Sequence, residues 1–234
     1  MQLVAFFLSF LGFSLLAEAQ KFIEYPEVAE QSHQELTIVR ISLYNDSTVF
    51  DLSVENKLSQ GGWFCADKNI SMEITSDHKR YNLVNSHGIP TCPAVHNFNR
   101  IGEKLNFSLI FQGIPTNTNL LNLTEICDNS CFFFHEIILD EKLNRDIKLY
   151  NHGTDLYATN NSADALACFK KVVELLPMSP THVYGYSFFN IIKIYHNIGD
   201  KTNSRYWYEQ LEKSNLPDKQ HFIDKLRKDG IQTK

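Results

Sequence analysis

The hydrophobic pattern changes its period once along the chain. From Glu35 to about Asp140 the apolar residues come in short runs, several of them alternating with polar ones. Leu36–Tyr44 alternates through Ile41 and Leu43, and Val49–Glu55 places Phe50, Leu52 and Val54 on one face. Asn45-Asp46-Ser47 between them is a turn signal. Further strands are expected at 62–65, 71–74, 81–84, 105–111, 121–126 and 131–139. Gly- and Asn-rich clusters such as Gln60-Gly61-Gly62 and Gly113–Asn117 separate them. Seven to nine short strands at this spacing predict an antiparallel β-sandwich, because an alternating strand has one face to bury.

After Asp140 the period becomes helical. Ala165, Leu166, Phe169, Val172, Val173 and Leu176 form one apolar stripe, with Lys170, Lys171 and Glu174 outside it. Ser162 is placed to cap this helix and Pro177 to end it. One helix is expected before Ala158, using Ile147, Leu149, Tyr150 and Leu156. Others are expected over 183–197, 203–214 and 218–228, with Gly199-Asp200, Pro217 and Gly230 as punctuation. The expected fold class is therefore segregated α+β: a β-sandwich domain over 20–142 and a helical domain over 143–234.

The first nineteen residues stand apart from both patterns. Met1–Leu16 is uncharged and nearly all apolar, and Ala17-Glu18-Ala19 is an A-x-A-like cleavage site. This reads as a signal peptide over 1–19. The expected location is secreted or periplasmic, with no membrane insertion after cleavage, since no later run reaches membrane-spanning length.

The helical half resembles a known repeat. Ala165-x3-Phe169-x2-Val172-x4-Pro177 is similar to the second helix of a tetratricopeptide repeat, with Gly153 and Leu156 at first-helix positions. A second copy runs from Ile191-Ile192-x2-Tyr195-x3-Gly199-Asp200 to Ser204, Tyr208 and Leu211, 39 residues along. Physically, small residues at Gly153 and Ala165 let two helices approach closely, and each pair leaves an apolar face that needs a neighbour. In the first half, Val54-Glu55-Asn56, Gly61-Gly62-Trp63-Phe64, Lys79-Arg80-Tyr81, Gly102–Phe107 and Phe111-x3-Pro115 resemble the small immunoglobulin-like domains of unknown function in exported bacterial proteins. That resemblance implies a fold and a compartment, and carries no site residues with it.

Charge and cysteines narrow the chemistry. The net charge is −5, or −4 without Glu18 of the first nineteen residues, divided between −6 over 20–145 and +2 over 146–234, which gives no basic surface of the size nucleic acid requires. Cys65, Cys92, Cys127 and Cys131 allow three disulfide connectivities. Cys92-x3-His96 and Cys127-x3-Cys131 also offer ligand spacings near those of structural zinc. Cys168 reads as a packed thiol. There is no G-x-S-x-G, no H-E-x-x-H and no Gly-rich phosphate loop, and no cofactor is expected.

Aromatic residues supply the candidate site. Tyr184, Tyr186 and Phe189 open one helix and Tyr206 and Trp207 lie on the next. They serve either core packing or a groove for a protein or peptide partner in the envelope or extracellular space. Trp63, within Gly61-Gly62-Trp63-Phe64, is expected in the core. The leading expectation is a non-catalytic, exported interaction protein acting through a tetratricopeptide-like stack. The alternative is a glycan or envelope-ligand module using the β-half, and the third an enzyme of unrecognised type.

Overall fold

The structure is a computed structural model that describes residues 21–232 apart from Asn129 and Ser179. The expected signal peptide lies outside the described residues. In chain order the strands are β1 (Lys21–Glu24), β2 (Val28–Gln31), β3 (Leu36–Leu43), β4 (Ser47–Glu55), β5 (Trp63–Phe64), β6 (Ile70–Ile74), β7 (Arg80–Asn82), β8 (Asn85–His87), β9 (His96–Asn97), β10 (Lys104–Gln112), β11 (Leu120–Glu125) and β12 (Phe133–Ile138). The helices are α1 (Glu141–Ala158), α2 (Ser162–Val173), α3 (His182–Asn197), α4 (Lys201–Lys213) and α5 (Lys219–Lys228). The chain is α+β, with antiparallel sheets first and helices after them.

One sheet has the order β1-β3-β4-β10-β8, a second β2-β12-β11-β6-β7, and β5 pairs with β9 alone. The chain divides into two compact units. Of the described residues, 21–25, Ser32–Thr118 and Leu123–Phe133 form the first; Pro26–Gln31, Asn119–Asn122 and 134–232 form the second.

In the first unit, β4 shows why alternation makes a half-buried strand. Thr48, Phe50, Leu52 and Val54 are buried, while the residues between them are half-exposed. Its antiparallel partner β10 buries Phe107, Leu109 and Phe111, and the Phe50 and Phe111 rings meet edge to face at 5.6 Å. The β3–β4 turn closes through the Tyr44 N–H donating to Ser47 O at 2.8 Å. In β3 the register against β4 shifts between Ile38 and Arg40, so Ile38 and Ile41 are both buried although three apart. Residues 62–65 and 131–139, expected as strands, yield the shorter β5 and β12.

In the second unit the helices follow their apolar stripes. Ala165, Phe169 and Val172 of α2, Ile191 and Ile192 of α3, Leu211 of α4 and Leu226 of α5 have no measurable exposure. α1 packs on α2, α2 on α3 and α3 on α4, and α5 touches α3 and α4. Two glycines permit the closest approaches. A Cβ on Gly153 would lie 2.9 Å from Phe169 Cε1, and one on Gly185 would overlap the Phe222 ring, with Cζ at 2.5 Å. Asn161, not Ser162, caps α2: its Oδ1 accepts the Asp164 N–H at 3.4 Å, and Ser162 is the first helical residue. Helix α2 ends at Val173, four residues before the proline.

Strands β2 and β12 are tied to α1 by one side chain. Buried Asn144 accepts the Glu27 N–H at 2.6 Å through Oδ1 and donates Nδ2 to the carbonyls of Ile138 at 2.7 Å and Asp140 at 3.0 Å. Asp140 caps α1, with Oδ1 accepting the Leu143 N–H at 2.6 Å.

Candidate functional site

The five aromatic residues singled out in the sequence fall in three places, and helical register explains the division. On α3, positions 184, 188, 191, 192 and 195 face the core, whereas 186, 189 and 193 form a separate stripe. Tyr184 is 1% exposed. Its hydroxyl donates to Asp146 Oδ2 at 2.8 Å, and Lys142 of α1 pairs with the same oxygen. Burial, followed by the Asp146 carboxylate, raises the Tyr184 phenol well above its usual range. Tyr184 therefore joins α1 to α3 and presents no surface to a partner.

Tyr186 and Phe189 stand on the outward stripe. The Tyr186 ring lies edge-on to Phe222 of α5 at 5.0 Å and 6.4 Å from Tyr150 of α1. Lys225 of α5 holds its ammonium 5.4 Å from the centres of both Tyr186 and Phe189. Lys193 lies 5.2 Å from the Phe189 ring and pairs with Asp229 at 2.8 Å. The result is a half-exposed aromatic platform carrying two cations, assembled from α1, α3 and α5.

Tyr206 and Trp207 belong to a different face. Trp207 packs against Phe188 at 6.0 Å and Tyr206 at 5.5 Å, and Tyr206 remains 52% exposed. Lys170 of α2 sits over the Tyr195 and Trp207 rings at 5.0 and 5.9 Å and donates to the Tyr195 hydroxyl at 2.6 Å. Tyr150, Lys193 and Lys225 were not singled out in the sequence. The 186/189/193 spacing on α3 was the available signal for one of them; Tyr150 and Lys225 join only through packing.

In the first unit, Trp63 corrects the sequence expectation. It is 55% exposed rather than in the core, because the register of β5 on β9 turns its neighbour Phe64 inward instead. Phe64 meets the Phe107 and Phe132 rings at 6.0 and 6.3 Å. The cysteine alternatives also resolve. Cys65 bonds Cys92 and Cys127 bonds Cys131, which consumes the thiols of both zinc-like spacings. Cys168 is free and half-buried, and a Cβ on Gly153 would lie 3.1 Å from its own. Among the described residues no cluster of three or more His, Cys, Asp or Glu is placed to hold a metal ion, and no helix is long and apolar enough to cross a membrane.

The carboxylates that share faces are committed to neighbours. Asp51 accepts Arg40 at 2.8 Å and the Ser108 hydroxyl at 2.7 Å, over a shallow depression of about 790 Å³ on the sheet surface. Glu55 accepts Lys57 at 2.6 Å, and that hydrogen bond holds its carboxyl below the usual range. Glu125 goes the other way: burial raises it, against two backbone N–H donors, Asp67 at 2.6 Å and Phe132 at 3.1 Å. No protein-family model, curated protein or solved structure was found to match the chain.

Proposed function

We propose that this is a non-catalytic exported protein, an immunoglobulin-like β-sandwich followed by tetratricopeptide-like helix pairs, which holds a protein or peptide partner against its helices. The observation that carries the reading is the Tyr150–Tyr186–Phe189 platform with Lys193 and Lys225 over it. Half-exposed aromatics held by packing at low entropic cost are the residues that anchor partners. The two disulfides are compatible with an oxidising compartment.

The test is selection from a displayed peptide library on the mature chain. Selected peptides should bind about tenfold or more weakly to Tyr186→Ser and to Lys225→Glu, the loss of one interface anchor. Tyr206→Ser, on the other face, should bind them unchanged. Equal loss from both faces, or none from either, removes this reading.

A second reading is that the β-half carries an envelope ligand. The exposed indole of Trp63 supports it.

A further inference from the structure

Three short segments of the first unit radiate from a single buried amide. Asn56 is 6% exposed. Its Nδ2 donates to the carbonyls of Leu58 at 3.0 Å and Arg100 at 2.9 Å, and its Oδ1 accepts the Leu58 N–H at 3.1 Å. Its backbone carbonyl accepts the Gly102 N–H at 2.8 Å, which fixes Ile101 between two anchored neighbours. A Cβ on Gly62 would lie 2.8 Å from Asn56 Cγ, so the residue before Trp63 rests on the same side chain. The Gly62 carbonyl accepts the Phe98 N–H at 2.9 Å, and the Cys65–Cys92 bridge fastens the strand beyond.

What these segments display is apolar. Leu58 is 58% exposed, Trp63 55% and Ile101 63%. Val95, immediately before β9, is 39% exposed. Basic residues stand directly beside them, in Lys57-Leu58 and Arg100-Ile101. Segments 55–63 and 95–104 together hold Lys57, Arg100 and Lys104 against Glu55 and Glu103, a net +1, within a half of the chain that carries −6; Lys57 and Lys104 share Glu55 as an ion-pair partner at 2.6 and 3.6 Å, and Arg100 stands beside Ile101. Glu103 accepts the Asn99 N–H at 2.8 Å and faces His96 at 3.5 Å. Rigidly held aliphatic and indole side chains interleaved with cations match the layered chemistry of an anionic lipid interface.

We propose that this end of the first unit docks peripherally on an anionic lipid surface. Trp63, Leu58 and Ile101 enter the headgroup layer, and Lys57 and Arg100 meet the phosphates. The inference rests on the second reading, that the β-half carries a ligand, and it chooses lipid over glycan because the other exposed apolar residues of these segments, Leu58, Val95 and Ile101, are aliphatic and the Asn56 amide is spent on backbone groups.

The chain has two tryptophans, so the mature Trp207→Phe protein reports Trp63 alone. It is mixed with vesicles of one-third phosphatidylglycerol in phosphatidylethanolamine, and with neutral phosphatidylcholine vesicles. A blue-shifted emission quenched by brominated lipid is expected on the anionic vesicles. Vesicle partitioning should fall about tenfold in the charge variant Lys57→Glu/Arg100→Glu, each cation contributing to the attraction, and similarly in Leu58→Ser/Ile101→Ser. The charge variant alters only exposed side chains, so it remains informative if the apolar variant misfolds. No spectral shift on anionic vesicles, or a shift indifferent to both variants, overturns the proposal. Glycan-array binding lost on Trp63→Ala without vesicle binding overturns it too, while leaving the second reading intact. Self-association that buries Trp63 in place of lipid removes both.

Discussion

At the scale of single residues, the closest approaches rest on positions where a side chain is missing. Gly185 sits inside α3, where glycine costs a helix about 1 kcal/mol relative to alanine. The compensation is contact: the fully buried Phe222 ring of α5 occupies the space a Cβ would take. Gly185→Ala therefore gains helix propensity and loses the α3–α5 fit. Overpacking a filled core costs about 1–3 kcal/mol, so after the propensity gain a net destabilisation of up to about 2 kcal/mol is expected by urea denaturation. A more stable variant would show that α5 can move aside freely. Gly185 was invisible in the sequence, where it lies among the aromatics of α3. Gly153 was legible because the repeat resemblance marked its position as small. The same limit applies to Trp63, whose neighbour Phe64 is equally apolar; only the pairing register decides which ring turns inward.

At the scale of elements, legibility followed length and periodicity. All five helices and the long strands β3, β4 and β10 stand close to where alternation or the 3.6-residue period placed them. Strands β1, β2, β8 and β9 went unseen, since two to four residues are too few to show a period. Three connectivities were open for the four β-half cysteines, and the bridges found differ greatly in span. Cys65–Cys92 closes a separation of 27 residues and Cys127–Cys131 one of 4. Under the chain-entropy model the longer loop removes more freedom from the unfolded chain, about 3–4 kcal/mol against about 2 kcal/mol. Replacing Cys65 and Cys92 with alanine should therefore lower the stability of the first unit more than replacing Cys127 and Cys131. Denaturation of the two double variants, read in the same buffer, compares them directly. A larger loss for the shorter loop would place its contribution in folded-state contacts instead.

At the scale of the whole molecule, the change of period at Asp140 does not coincide with the edge of a compact unit. The unit that holds the helices also takes in Pro26–Gln31, Asn119–Asn122 and the chain from Phe134. No periodicity could announce this, because it depends on hydrogen bonds between segments more than a hundred residues apart. Asn144 makes the point: it bonds Glu27 at the start of the chain, and Ile138 and Asp140 ahead of its own helix. The Leu139 N–H adds a bond to the Asn119 carbonyl at 2.7 Å. A fragment cut at 142/143 would keep Asn144 and lose every one of these partners, along with the Asp140 cap. The lost hydrogen bonds, exchanged for water, are worth about 1 kcal/mol each, and the lost cap about 1 kcal/mol more. The fragment 143–234 should therefore unfold at markedly lower urea than the helices of the chain from residue 20 onward, followed by tryptophan emission from Trp207 in a Trp63→Phe background. Asn144→Ala in the intact chain should reproduce part of that loss, and in the fragment should change little, since its partners are already gone. A fragment as stable as the intact chain, or an Asn144→Ala effect of equal size in both, would mean that the helices need only one another and that the strands grouped with them contribute no stability.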